Sequence, residues 1–115
     1  MKRDPSCIFC RIVAGEIASR LAYEDEEMLV FHDIAPWAPV HVLMIPKEHI
    51  VTLYDTSEAY APLLGRMLAL APRLMRELGV TNGFRTLANT GVDGRQEVPH
   101  LHVHVMGGPR PWAKG

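Results

Sequence analysis

From His100 to Val105 the chain sets histidine and an aliphatic residue in strict alternation, His100-Leu101-His102-Val103-His104-Val105. Successive side chains of an extended strand point to opposite faces, so three imidazoles share one face and Leu101, Val103 and Val105 share the other. The aliphatic face has to be covered by another element. The imidazoles then form a row at roughly 6.5–7 Å spacing, twice the rise per residue, on a face that is open or lined by loops. A strand over Val98 to Met106 of this kind demands a sheet with a cover.

The rest of the chain supplies both. The apolar run Val40 to Ile45, closed by Pro46, predicts a strand carrying His41. Arg20 to Tyr23 and Met28 to His32 flank the acidic stretch Glu24-Asp25-Glu26-Glu27 and predict a hairpin with a polar turn. Gly83 to Ala88 predicts a further strand, followed by a loop from Asn89 to Gln96. The cover is a long helix from Thr56 or Ser57 to Leu78, where Leu63, Leu64, Met67, Leu68, Ala71, Leu74, Met75 and Leu78 recur at helical spacing before Gly79. Pro72 falls where an N–H should bond back four residues, so a kink or a division into two pieces is expected there. Ile8, Phe9, Ile12, Val13 and Ile17 predict a short N-terminal helix stopped near Gly15.

No single strands alternate with helices, so a parallel sheet is excluded and the expected class is α+β. The expected architecture is a five-stranded antiparallel sheet with one long helix across it and a short N-terminal helix. At 115 residues the chain has material for one core. A single domain over 1–115 is therefore expected, with loose ends at about 1–5 and 109–115.

The net charge of −1 provides no broad basic field, which argues against nucleic acid and anionic membrane as partners. No run approaches the roughly 20 apolar residues of a membrane span, and the N-terminal residues lack the apolar core of a signal peptide. A cytoplasmic protein with a small-molecule partner is the expectation. In a reducing compartment Cys7-Ile8-Phe9-Cys10 reads as half of a metal site or as a redox pair. A thioredoxin-like motif needs a strand before it, and nothing ahead of Cys7 supplies one.

Three uses of the histidines stay open on residues alone. They are a polar surface, a metal site, or a nucleophile with helpers. Strand positions favour Thr, Val and aromatic residues over a histidine row, which weighs against plain surface. Two imidazoles at alternate positions reach one metal ion, but a row of three is too long for all to ligate without bending. A central imidazole attacking phosphorus or a carbonyl, flanked by two that orient and bind, suits three similar groups.

The chain resembles the histidine-triad family. His100-Leu-His102-Val-His104-Val-Met carries the triad pattern, and Gly107-Gly108 after it is similar to the Hint branch. Similar segments extend along nearly the whole chain: Cys7 to Ile17, Phe31-His-Asp-Ile34, Ala38-Pro39, His41 to Ile50 and Gly94 to Val98. The resemblance implies hydrolysis of purine nucleoside 5′-phosphoramidates at the α-phosphate through a nucleotidyl-histidine intermediate. It implies His102 as nucleophile, the His100 carbonyl as acceptor for its Nδ1–H, His104 on the phosphate oxygens and His41 behind the triad, supporting the orientation of His102. It places Phe31, Asp33, Ile34, Ile8, Phe9 and Ile12 around purine and ribose, and Asn89, Glu97 and Val98 around the phosphate and leaving group.

The same resemblance implies a structural zinc on Cys7, Cys10, His49 and His100, as in some bacterial histidine-triad proteins and the related uridylyltransferases, with no metal needed for catalysis. It also implies a homodimer, with Trp112 able to reach the partner subunit's site. Two residues depart from the pattern: Arg95 stands where many similar sequences have glycine, and Glu97 where many have Ser or Thr. Arg95 is placed to crowd or to bind the α-phosphate. The alternatives are a dinucleoside polyphosphate hydrolase or nucleotidyl transferase, disfavoured by Gly107-Gly108, and a non-catalytic nucleotide-binding partner protein.

Overall fold

Two central strands are apolar almost without interruption. Met28–His32 reads MLVFH and Val40–Pro46 reads VHVLMIP, a composition that fits strands covered on both faces. The computed structural model, which describes residues 2–115, shows that double cover. In chain order the elements are α1 (Ile8–Val13), β1 (Leu21–Glu24), β2 (Met28–His32), β3 (Val40–Pro46), two single 3₁₀ turns (Leu53–Asp55 and Glu58–Tyr60), α2 (Ala61–Glu77), β4 (Phe84–Leu87) and β5 (Val103–Gly107). The five strands form one antiparallel sheet in the order β1-β2-β3-β5-β4. The expected α+β class and layout hold.

One face carries Met28, Val30, Val42, Met44, Val103 and Val105 against Leu63, Met67, Ala71, Leu74 and Met75 of α2. The other carries Leu29, Phe31, Leu43 and Ile45 against Cys7, Phe9 and Cys10 at α1. The short helix covers only part of that second face. A cleft remains over Leu43, His104 and Leu87, which lie side by side across β3, β5 and β4.

The β1–β2 turn closes on Asp25, whose Oδ1 accepts the N–H groups of Glu27 at 2.8 Å and Met28 at 2.9 Å. At the end of α2 the N–H of Val80 bonds to the carbonyl of Met75 and that of Gly79 to Arg76. This Schellman closure needs a left-handed residue, and Gly79 has φ 86°. Among the described residues no helix is long and apolar enough to cross a membrane.

Three boundary expectations are corrected. α2 runs unbroken through Pro72; the carbonyl of Leu68 that loses its partner belongs to a residue 53% exposed, where water can serve it. α2 also starts at Ala61, because Ser57 caps a separate 3₁₀ turn, and Pro62 then falls in the first turn, where no N–H is needed. β5 begins at Val103 and not at Val98. Its register pairs Met44 with Val103, so the next rungs would pair Ile45 with His102 and Pro46 with Leu101, and proline has no N–H for a ladder. Instead Leu101 N–H bonds to the Ile50 carbonyl and His100 N–H to that of Val98.

Candidate active site and metal cluster

Because the chain leaves the ladder before Val103, the three histidines do not form an even row. Of the two expectations for the imidazole face, open or lined by loops, the second holds for His102 and His104, and all three histidines are buried. The rings of His102 and His104 lie 5.0 Å apart and nearly perpendicular. His102 is held from behind: its Nδ1 stands 2.7 Å from the carbonyl oxygen of His100. A carbonyl only accepts, so Nδ1 is the protonated nitrogen and Nε2 keeps its lone pair. The edge of the Phe9 ring packs against the same imidazole at 5.2 Å.

His104 is polarised in the opposite sense. The Trp37 backbone N–H donates to His41 Nδ1 at 3.0 Å, which makes that nitrogen an acceptor and puts the His41 proton on Nε2. His41 Nε2–H then donates to His104 Nδ1 at 2.9 Å, so the His104 proton sits on Nε2. The two neighbouring imidazoles thus differ: His102 offers a lone pair and His104 offers a proton. The chain of bonds requires neutral rings, and burial favours them. Burial pushes His104 from the ordinary 6.5 down to about 4, with the neighbouring His102 and His41 adding to it. His41 is lowered too, again chiefly by burial, against the pull of Asp33. Asp33 Oδ2 lies 3.6 Å from His41 Nε2, while Oδ1 accepts the Ala35 N–H. Trp37 stacks on His104 at 5.5 Å. His41 was expected to orient His102; its hydrogen bond is to His104.

The cleft in front of these rings has a volume of about 380 Å³, within the range of small-ligand sites. Of the residues expected there, Phe9, Asp33, Asn89, Arg95, Glu97, Val98, His102 and His104 line it. The others lie elsewhere. Phe31 is buried behind Phe9 at 5.5 Å, His41 behind His104, and His100 in the cluster described next. Ile12 lies along a separate groove beside α1 and β1, Ile8 is half exposed, and Ile34 is fully exposed. Trp37, Leu43, Leu87, Gly94 and Lys114 complete the wall and were not anticipated. Leu43 and Leu87 could have been found from register, since both flank His104; the return of Lys114, through the Ala113 N–H bond to the Trp37 carbonyl, has no sequence signal. Trp112 donates to the Gly108 carbonyl beside a larger hollow of about 480 Å³ that contains no histidine.

Beneath the cleft Cys7, Cys10, His49 and His100 converge, their ligand atoms all within 4.8 Å of one another. Cys7 Sγ is 3.3 Å from His100 Nδ1, Cys10 Sγ is 3.3 Å from His49 Nδ1 and 3.6 Å from His100 Nδ1, and the two Nδ1 atoms are 3.3 Å apart. A tetrahedral ion with ~2.0–2.1 Å bonds to nitrogen and ~2.3 Å to sulfur needs edges of roughly 3.3–3.6 Å between such atoms. The donor set therefore fits a metal ion. His100 Nε2–H donates to the Pro46 carbonyl at 2.8 Å, which turns its Nδ1 lone pair to the cluster. Burial pushes the Cys10 thiol up from 9.0, a pressure that a cation would reverse. Asp33, His41 and His104 also converge, but the Trp37–His41–His104 chain already occupies His41 Nδ1 and His104 Nδ1.

A sheet that sets a freed imidazole nitrogen beside a proton-bearing imidazole defines a class, α+β hydrolases with a histidine cluster in the nucleophile's place. A family model described as scavenger mRNA decapping enzyme C-term binding matches residues 6–113. Protein HitA of Neisseria gonorrhoeae is 50% identical over 104 residues, covering 90% of this chain and 97% of HitA. The 14 kDa zinc-binding protein of Brassica juncea is 42% identical over 103 residues, 88% of this chain and 91% of that one. The crystal structure of a HIT family hydrolase from Legionella pneumophila superposes with a TM-score of 0.88 at 40% identity, over 96% of this chain and 100% of that one. The chain belongs to that matched family and to the histidine-triad superfamily, as an enzyme of its hydrolase family.

Proposed function

We propose that the enzyme binds purine nucleotides and hydrolyses nucleoside 5′-phosphoramidates at the α-phosphate. The observation that carries this reading is the opposed protonation of His102 and His104 at one cleft. His102 Nε2 attacks the α-phosphorus and forms a P–N bond while the bond from phosphorus to the leaving amine breaks. The amine departs with the proton of His104 Nε2, leaving a nucleotidyl-His102 intermediate. Water then attacks phosphorus, its proton goes to His104 Nε2, and nucleoside monophosphate and free His102 are released. His41 restores the starting state by keeping its own donor aimed at His104 Nδ1. Phe9, Leu43 and Val98 are apolar walls for the nucleoside, and the Asp33 carboxylate is an acceptor for ribose hydroxyls.

Zinc is the ion that two thiolates and two imidazoles suit best. When bound it supplies a closed four-ligand link, with no open position for chemistry. The chain's own part is mechanical: Cys7 and Cys10 tie α1 to His49 and to the segment that ends in β5. A cytoplasmic homodimer completes the proposal. β4 has one unpaired edge with exposed Phe84, and α2 exposes Leu68, surfaces that a second copy would cover. The deciding experiment mixes the enzyme with an adenosine 5′-phosphoramidate and with a dinucleoside polyphosphate. Faster turnover of the phosphoramidate, with a nucleotidyl adduct on His102 in acid- or cold-quenched samples, supports the reading; no adduct and no amine release rejects it.

A further inference from the structure

We infer that Arg95 selects leaving amines that carry an acidic group. The inference rests on the phosphoramidase reading and narrows its substrate class. Its first ground is the backbone. Arg95 has φ 59° and is the one non-glycine in the left-handed region among the described residues. Glycine adopts that conformation freely, whereas an L side chain there is strained. Strain of this kind persists where the surroundings fix it and tends to mark functional positions.

The surroundings of Arg95 do fix it. Its N–H bonds to the Val92 carbonyl, and the next residue, Gln96, is pinned on four sides. Gln96 N–H bonds to the Gly91 carbonyl, its Oε1 accepts the Gly91 N–H, and its Nε2 donates to the carbonyls of Val51 at 2.6 Å and Val98 at 3.0 Å. The turn before it is wound so closely that a Cβ on Gly94 would stand 2.3 Å from the Thr90 carbonyl oxygen. Arg95 is therefore carried on a rigid loop.

The second ground is the side chain's lack of a partner. Arg95 is exposed and lines the cleft with His102 and His104, and its side chain takes part in none of the ion pairs or side-chain hydrogen bonds among the described residues. Four other arginines are engaged, Arg66 with Asp25 and Glu27, Arg73 with Glu77, Arg85 and Arg110 with the Gly115 carbonyl, and of those without a side-chain partner among the described residues Arg95 is the one that lines this cleft. Glu97 lines the same cleft two residues on and does not pair with it. An unpaired guanidinium beside a phosphate-processing histidine pair is built for an oxyanion, which it grips through two parallel N–H bonds. The imidazoles act on the phosphorus and on the amine nitrogen; Arg95 is assigned to an anion on the departing group, a carboxylate or phosphonate attached to the amine, and the α-phosphate is the competing ligand that the experiment separates. Arg95 exchanges no proton or bond in the reaction.

The test compares kcat/KM for adenosine 5′-phosphoramidates of β-alanine, 2-aminoethylphosphonate and the neutral β-alaninamide. The native enzyme is expected to prefer at least one acidic amine over the amide by about tenfold, the scale of one charge-assisted hydrogen bond. Preference for the carboxylate assigns amino-acid-like amines, preference for the phosphonate assigns phosphorylated ones, and both outcomes support the inference. Arg95→Gln should bring the ratio near one, Arg95→Lys should retain most of it, and Arg95→Glu should invert it. Arg95→Gly relieves the backbone, so its melting temperature at or above the native value shows that a changed ratio is not unfolding. A ratio equal in native and Arg95→Gln enzymes overturns the inference while leaving the hydrolase reading intact; that is also the result if Arg95 grips the α-phosphate. Failure of the native enzyme on all three substrates overturns both.

Discussion

The carbonyl oxygen of His100 holds Nδ1 of His102 at 2.7 Å, while the ring of the same His100 turns away toward Cys7 at 3.3 Å. One residue thereby belongs to two assemblies, through its backbone to the His102 imidazole and through its side chain to the Cys7–Cys10–His49 cluster. The proposed attack and the proposed ion can be separated by experiment.

His102→Ala removes the nucleophile and leaves the cleft otherwise lined as before. Phosphoramidate turnover should fall roughly a thousandfold or more. Quenched-flow samples should then contain no nucleotidyl protein, and native-like turnover in the variant would assign the attack elsewhere.

Chelation of the metal should lower the melting temperature by several degrees, since an ion that binds only the folded chain adds its binding free energy to stability. Measured at a temperature where the metal-free protein stays folded, kcat should remain within a few-fold of the loaded enzyme. A hundredfold loss with circular dichroism unchanged would give the ion a part in the chemistry.

His41→Ala breaks the Trp37–His41–His104 chain and frees His104 to hold its proton on either nitrogen. The expected loss in kcat is about 10–100-fold, the scale for removing a group that orients another. Nitrogen chemical shifts of His104 should change from a single Nε2–H tautomer to a mixture; a lower rate with the tautomer unchanged would mean that His41 acts through packing alone.

Acid should destabilise the fold before its carboxylates titrate. His104 and His100 have pKa values of about 4 in the folded protein against 6.5 for a free imidazole, in both cases chiefly through burial. Between these values the unfolded chain binds more protons, so stability is full above about pH 6.5 and declines as the pH falls toward 4. Urea midpoints at pH 7.5, 5.5 and 4.5 should fall in that order. The slope should lessen in His104→Gln, and an unchanged slope would place the lost protons on other groups.

At the end of α2, Gly79→Ala forces a side chain into φ 86° and should cost about 1 kcal/mol in equilibrium unfolding. An unchanged midpoint would show that the closure by Val80 and Met75 tolerates an L residue there.

The class and the chain order of elements were legible because periodicity is local: alternation in β5 and the three-to-four spacing in α2 are written in consecutive residues. The cleft was half legible. Asp33, Asn89 and Val98 came through the resemblance to the histidine-triad family, since their own residue types fit turns and loops as well as a site, and the structure sets all three on the cleft wall. Trp37 and Lys114 were not legible, because they come to the site through the irregular loop before β3, closed by a bond from Trp37 to His41, and a returning tail held by bonds to the distant Trp37 carbonyl. The even histidine row was misread for a related reason. Alternation specifies where side chains point only while the strand lasts, and it was Pro46 on a neighbouring strand that ended it.

The division of His100 between ring and carbonyl has a consequence for sequence change. Every residue type has a carbonyl, so the demand that His102 makes at position 100 is blind to the side chain there. The imidazole itself serves Cys7, Cys10 and His49 on one nitrogen and the Pro46 carbonyl on the other. A lineage that lost the cysteine pair would keep only the second demand, which any side chain with a donor in reach of Pro46 could meet. The first letter of the motif answers to the cluster and to Pro46, and the second and third face the cleft.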